Sequence, residues 1–176
     1  MTGRARDSGG ILGSLSSADG KGVVRMEDRL DIGIDDLWSA FIERERLARW
    51  LGDVEGDLRL GGDFRARFFA SGWEGTGRVE ACEPPQRLLV RTAMEGTQEV
   101  HAIEVTLTAD GDTTALILEE RGMPLEQLAA YGAGVQVHVE DLGAYVGGGE
   151  RVDAEKRWEA LMPAYEKLAA GVGGVN

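Results

Sequence analysis

The chain has 176 residues and 43% hydrophobic content, enough for one globular domain whose core is large enough to hold a pocket. Its 31 acidic and 19 basic side chains leave a net charge of −12. That balance repels phosphate backbones and argues against nucleic acid as a partner.

Residues 1–22 are rich in Gly, Ser and Asp, with Ile11, Leu12 and Leu15 as their only large apolar side chains, so a mobile arm is predicted. No apolar stretch follows Arg4 and Arg6 as a secretory signal requires, and no run in the chain reaches the roughly 20 residues of a membrane span. A cytoplasmic setting with no membrane span follows as the expectation.

From Val23 to Ile32 the chain alternates: Val24, Met26, Leu30 and Ile32 share one face, and Arg25, Glu27, Arg29 and Asp31 the other. This is a half-buried strand with one polar intruder, Asp28, on its apolar face. Asp35 and Asp36 open a short helix carrying Leu37, Trp38 and Phe41, and a second holds Leu47 and Trp50 before Gly52 ends it.

A meander of short strands follows, marked by Leu60-Gly61-Gly62-Asp63-Phe64, Gly75-Thr76-Gly77-Arg78-Val79 and Glu83-Pro84-Pro85-Gln86-Arg87-Leu88. Strands are predicted at about 76–82, 87–93, 99–109 and 113–121, the last two joined by the Asp110-Gly111-Asp112 turn. His101 shares a face with Ile103, Val105 and Leu107.

Pro124 then opens a helix in which Leu128, Tyr131, Val135, His138, Leu142 and Tyr145 recur at spacings of three and four, and Gly147-Gly148-Gly149 breaks it. A last helix from about Asp153 to Ala170 carries Trp158, Leu161, Tyr165 and Leu168, with a kink expected at Pro163.

This order of elements resembles the SRPBCC superfamily, also called START-like, and within it the branch named after the activator of the heat-shock chaperone's ATPase. The resemblance rests on Asp36-Leu37-Trp38, on Leu47, Arg49 and Trp50, on the three meander motifs above, and on Val105-Thr106-Leu107, Gly111, Thr113 and Glu119-Glu120. It implies an α+β helix-grip fold over residues 23–147, a curved antiparallel sheet around a long helix, with 148–176 as a C-terminal helical extension.

The resemblance also implies a cavity between sheet and long helix for hydrophobic or amphipathic small molecules of a lipid, polyketide or aromatic class. Alternatives within the superfamily are a polyketide cyclase or dehydratase and a chaperone-ATPase co-chaperone. Where the family has Gly-Trp early in the long helix this chain has Gly134-Val135, a smaller side chain that would widen the cavity.

Candidate cavity residues are Asp28, Trp50, Phe68, Trp73, His101, Glu119, Tyr131, Val135 and His138. Asp28, His101 and His138 are polar groups at apolar positions, and Glu119 shares parity with Ala115 and Ile117. Convergent polar groups in an apolar pocket are what a ligand site needs, although a histidine on an apolar face is more often a hydrogen-bonded core residue. Trp73 sits in a Gly-rich turn and is placed to gate a pocket mouth.

A carboxylate facing either histidine would make a general acid–base pair. Cys82, beside Glu83, is not an activated thiol, and no serine-hydrolase elbow or phosphate loop is present. No metal or cofactor is predicted. The Trp158 stripe either covers the body of the fold or forms a homodimer contact.

Overall fold

Alternating burial builds the sheet. Val24, Met26 and Leu30 are buried on one face of a strand whose other face carries Arg25, Glu27 and Arg29, and Val105, Leu107, Leu116 and Leu118 repeat the pattern further along. The structure, a computed structural model, describes residues 10–173.

In chain order the elements are β1 (Gly13–Ala18), β2 (Lys21–Leu30), α1 (Ile34–Ile42), α2 (Arg44–Trp50), β3 (Gly52–Gly56), β4 (Asp63–Phe68), β5 (Glu74–Glu83), β6 (Arg87–Met94), β7 (Val100–Asp110), β8 (Thr113–Met123), α3 (Leu128–Val146) and α4 (Ala154–Gly173). The strands form one antiparallel sheet in the order β1-β2-β8-β7-β6-β5-β4-β3. The sheet curves around α3, giving the α+β helix-grip fold.

Two strands depart from the sequence reading. Part of the predicted mobile arm is β1, which pairs with β2 from Gly13↔Met26 to Ala18↔Lys21; residues 1–9 lie outside the described residues. The hairpin turns on Asp19 and Gly20, both at positive φ, and such a two-residue Asp-Gly turn matches the right-handed twist of the flanking strands. Gly52 does not merely end α2. It starts β3, whose Cβ-free approach to the Arg67 carbonyl lets the chain join the sheet edge beside β4.

α3 is buried on two sides. One side, with Leu128, Val135 and Leu142, packs on the sheet, while Gln136 and Asp141 are 0% and 1% exposed and accept from the Leu12 amide, just before β1, and the Val152 amide, just before α4. α4 lies against α3 and β1, and Leu161 and Tyr165 are its buried residues. It runs as one helix through Pro163.

Four hydrogen bonds tie this layer together. Gln136 accepts from the Leu12 amide at 3.0 Å and donates to the Gly10 carbonyl at 2.8 Å, Tyr165 accepts from the Gly13 amide at 3.1 Å, and the Tyr165 hydroxyl donates to Gln136.

Candidate functional site

A cavity of about 840 Å³ lies between the inner face of the sheet and α3. The sheet contributes Phe68 from β4, Thr92 and Met94 from β6, Ile103 from β7 and Glu120 from β8; α3 contributes Tyr131, Gly134, Val135 and His138. The start of α4 closes one side with Ala154, Glu155 and Trp158. Ser71, Gly72, Glu74, Glu155 and Trp158 are exposed and mark the mouth.

A second, apolar recess of about 120 Å³ lies toward α1 and α2 and is lined by Phe41, Leu47, Trp50 and Phe64 among others. Phe68, Thr92, Ile103, Glu120, Val135 and His138 wall both spaces.

The aromatic walls are held in place by neighbours. Trp73 stacks on Phe68 with ring centroids 4.9 Å apart, and Phe68 meets His138 edge-on at 5.3 Å. Trp50 donates to the Ala40 carbonyl at 3.0 Å and meets Phe41 edge-on. Trp158 donates to the Ala130 carbonyl at 3.2 Å, which fixes its ring over the first turns of α3. Gly134 faces open space, with nothing within 4 Å of where a Cβ would stand.

The polar end of the cavity is a cluster of four residues. His101, 4% exposed, donates from Nδ1 to Glu120 at 2.6 Å and from Nε2 to Glu99 at 3.1 Å. Two carboxylate partners require both ring nitrogens to carry protons. Burial works against that imidazolium, but the hydrogen bonds to Glu120 and Glu99 outweigh it and hold its pKa above the ordinary histidine value.

The Tyr131 ring meets His101 edge-on at 5.0 Å. Burial, then the charges of Glu120 and Glu99 and a hydrogen bond to Glu99, push its phenol up to about 12, so it stays neutral. With both His101 nitrogens engaged, the imidazole has none left for a substrate proton. The groups in this cluster that face the cavity are Glu120 and Tyr131.

His138 behaves differently. Its Nδ1 is buried without a hydrogen-bond partner, and burial pushes its pKa down to about 4, so the ring is neutral near pH 7. It is a polar but uncharged part of the wall.

Of the nine residues expected at the cavity, Phe68, Trp73, Tyr131, Val135 and His138 line the large space and Trp50 the recess. His101 lies behind Glu120, hydrogen-bonded to it. Asp28 lines neither space: it pairs across to Leu116 on β8 and accepts the Arg29 amide at 2.8 Å. Glu119 also lines neither, because it is on the outer face of β8, bound to Arg121 at 2.6 Å and beside Arg25.

The inner parity of β8 is that of Leu116, Leu118 and Glu120. Glu120, Thr92 and Trp158 are among the lining residues that the sequence reading did not name as candidates. Cys82 is half-buried, and burial raises its thiol pKa. Among the described residues no group of three or more His, Cys, Asp or Glu is placed to hold a metal ion, and no helix is long and apolar enough to cross a membrane.

Among solved structures, CalU16 from Micromonospora echinospora superposes with a TM-score of 0.74 at 26% identity, over 89% of this chain and 95% of that one. DynU16, a protein of the dynemicin biosynthetic locus, superposes with a TM-score of 0.68 at 26% identity over 77% of this chain, which spans about half (51%) of that longer protein. An HSP90 activator from Plasmodium falciparum, PFC0360w, shares the fold at 19% identity and a TM-score of 0.51, over 58% of this chain and 74% of that one. No curated protein matches the chain significantly. The family model described as activator of Hsp90 ATPase homologue 1-like protein matches residues 31–147, which is most of the chain, and the protein belongs to that family.

Proposed function

We propose that the protein is a binding module that takes a hydrophobic or amphipathic small molecule, of a lipid, polyketide or aromatic class, between its sheet and α3. The observation that carries this reading is the space itself. About 840 Å³ falls inside the range of roughly 300–1,000 Å³ typical of small-molecule sites, and its walls are mostly apolar and aromatic with a few convergent polar groups. The place of DynU16 in a biosynthetic locus supports a metabolite as the occupant.

Binding of 2-(1-naphthyl)ethanol, a neutral probe, tests the reading by calorimetry and thermal shift. The expected outcome is saturable binding to the native chain. Val135→Trp, which restores the family's bulk at a position walling both spaces, is expected to abolish that binding and leave the circular dichroism unchanged. Absence of binding to the native chain, with this and with larger apolar probes, sinks the proposal.

A further inference from the structure

Resting on that binding reading, we propose that the cavity selects ligands whose apolar body carries a cationic amine, and that it rejects carboxylates. The sign of the wall points there. Its charged residues are Glu74, Glu95, Glu120 and Glu155, and no Lys or Arg lines it.

The nearby positive charge is already committed. His101 lies behind the wall and spends both ring nitrogens on Glu120 and Glu99. Arg65 is paired with Glu95 at 2.9 Å. His138 is neutral. Glu74 and Glu155, at the mouth, make no ion pair among the described residues.

Two inner groups are left with unused acceptor capacity. Glu120 has one oxygen on His101, while its Oε1 takes no partner among the described residues. Thr92 is 5% exposed, and its hydroxyl makes no hydrogen bond among the described residues although it walls both spaces. Its oxygen is open to the cavity, where a ligand or water can supply a partner.

Glu120 and Thr92 stand on β8 and β6, the two strands that flank β7. An ammonium is all donor and suits an ionised carboxylate, and the rings of Tyr131, Trp73 and Trp158 add attraction for a cation. A ligand carboxylate would instead bring like charge to a partly desolvated Glu120.

Calorimetry with three probes of matched shape tests this: 2-(1-naphthyl)ethylamine, 2-(1-naphthyl)ethanol and 1-naphthylacetate. The amine is expected to bind about tenfold tighter than the alcohol, and the acetate more weakly than both. Glu120→Gln is expected to collapse the amine–alcohol gap. The double variant Glu74→Gln/Glu155→Gln changes only exposed side chains and leaves the fold intact; it is expected to weaken the amine by about twofold to threefold and to lessen its salt dependence.

Equal binding of all three probes, tighter binding of the acetate, or an amine preference untouched by Glu120→Gln each overturns the charge selection and leaves the binding reading standing. Failure of all three probes, and of the larger apolar probes, to bind overturns both.

Discussion

Gly132 and Gly134 stand two residues apart on α3 and meet opposite surroundings. A Cβ at Gly132 would fall 2.5 Å from the buried Tyr165 ring, whereas one at Gly134 meets nothing within 4 Å. Ala is the better helix former by about 0.8–1 kcal/mol. Gly134→Ala is therefore expected to stabilise the fold by up to about 1 kcal/mol. Gly132→Ala is expected to destabilise it by about 1–3 kcal/mol through overpacking. Urea unfolding of the two variants checks the opposite signs.

At this scale much of the site was legible. His101 was placed on the inner face because Ile103, Val105 and Leu107 alternate with polar residues. Glu119 was placed wrongly because Ala115, Leu116, Ile117 and Leu118 are apolar at both parities. A one-residue slip then moved the inner acid from Glu120 to its neighbour. Asp28 has the right parity, but parity cannot tell which part of a long inner face adjoins a cavity.

Within α3, His138 and Asp141 titrate in opposite senses one turn apart. Burial lowers the His138 pKa to about 4, below the 6.5 of a free imidazole, and raises that of Asp141 to about 6, above the 3.8 of a free carboxyl. The His138 contribution is full above pH 6.5 and is lost as pH falls toward 4, because the unfolded chain takes up a proton that the folded ring refuses. The Asp141 contribution is full below pH 3.8 and is lost as pH rises toward 6, because the folded carboxyl keeps a proton that the unfolded chain releases. Between pH 4 and 6 the two slopes oppose each other.

Asp141→Asn keeps an acceptor for the Val152 amide, now 2.8 Å from Asp141, and is expected to steepen the loss of stability on acidification. His138→Leu is expected to do the reverse, each by up to about 1 kcal/mol per pH unit relative to the native chain. Unfolding free energies at pH 4, 5, 6 and 7 separate the cases, and parallel profiles would refute the assignment.

The helix itself was legible from its sheet-facing stripe. Its second buried side was not, since Gln136, Glu140 and Asp141 are polar and are covered by α4 and the chain just before it. β1 and β3 escaped for a related reason. Both are short and polar, with little side-chain alternation, although Asp19-Gly20 was a hairpin signal in plain view.

Across the whole molecule, the first strand and the last helix are joined through α3. Tyr165 links them, accepting from the Gly13 amide and donating to Gln136, while Arg157 grips Glu140 at 2.8 and 2.9 Å. Tyr165→Phe leaves the half-buried Gly13 amide without its acceptor and is expected to cost about 1 kcal/mol. Hydrogen exchange localises the effect. The amides of Leu12 and Gly13 are expected to exchange faster, while those of β7 and β8 keep their native protection. Uniform loss of protection would show that the seam is not a separate unit. The α+β helix-grip architecture was legible in the order of turns and strands, but a seam between residues more than 120 positions apart leaves no local pattern to read.

Trp158, Ala154 and Glu155 frame the mouth of the cavity, yet they lie beyond the 31–147 segment that the family shares. The doorway is therefore set by packing outside that segment: Leu161 and Tyr165 anchor the same helix in the core, so whatever loosens them shifts Trp158 and Glu155 as well.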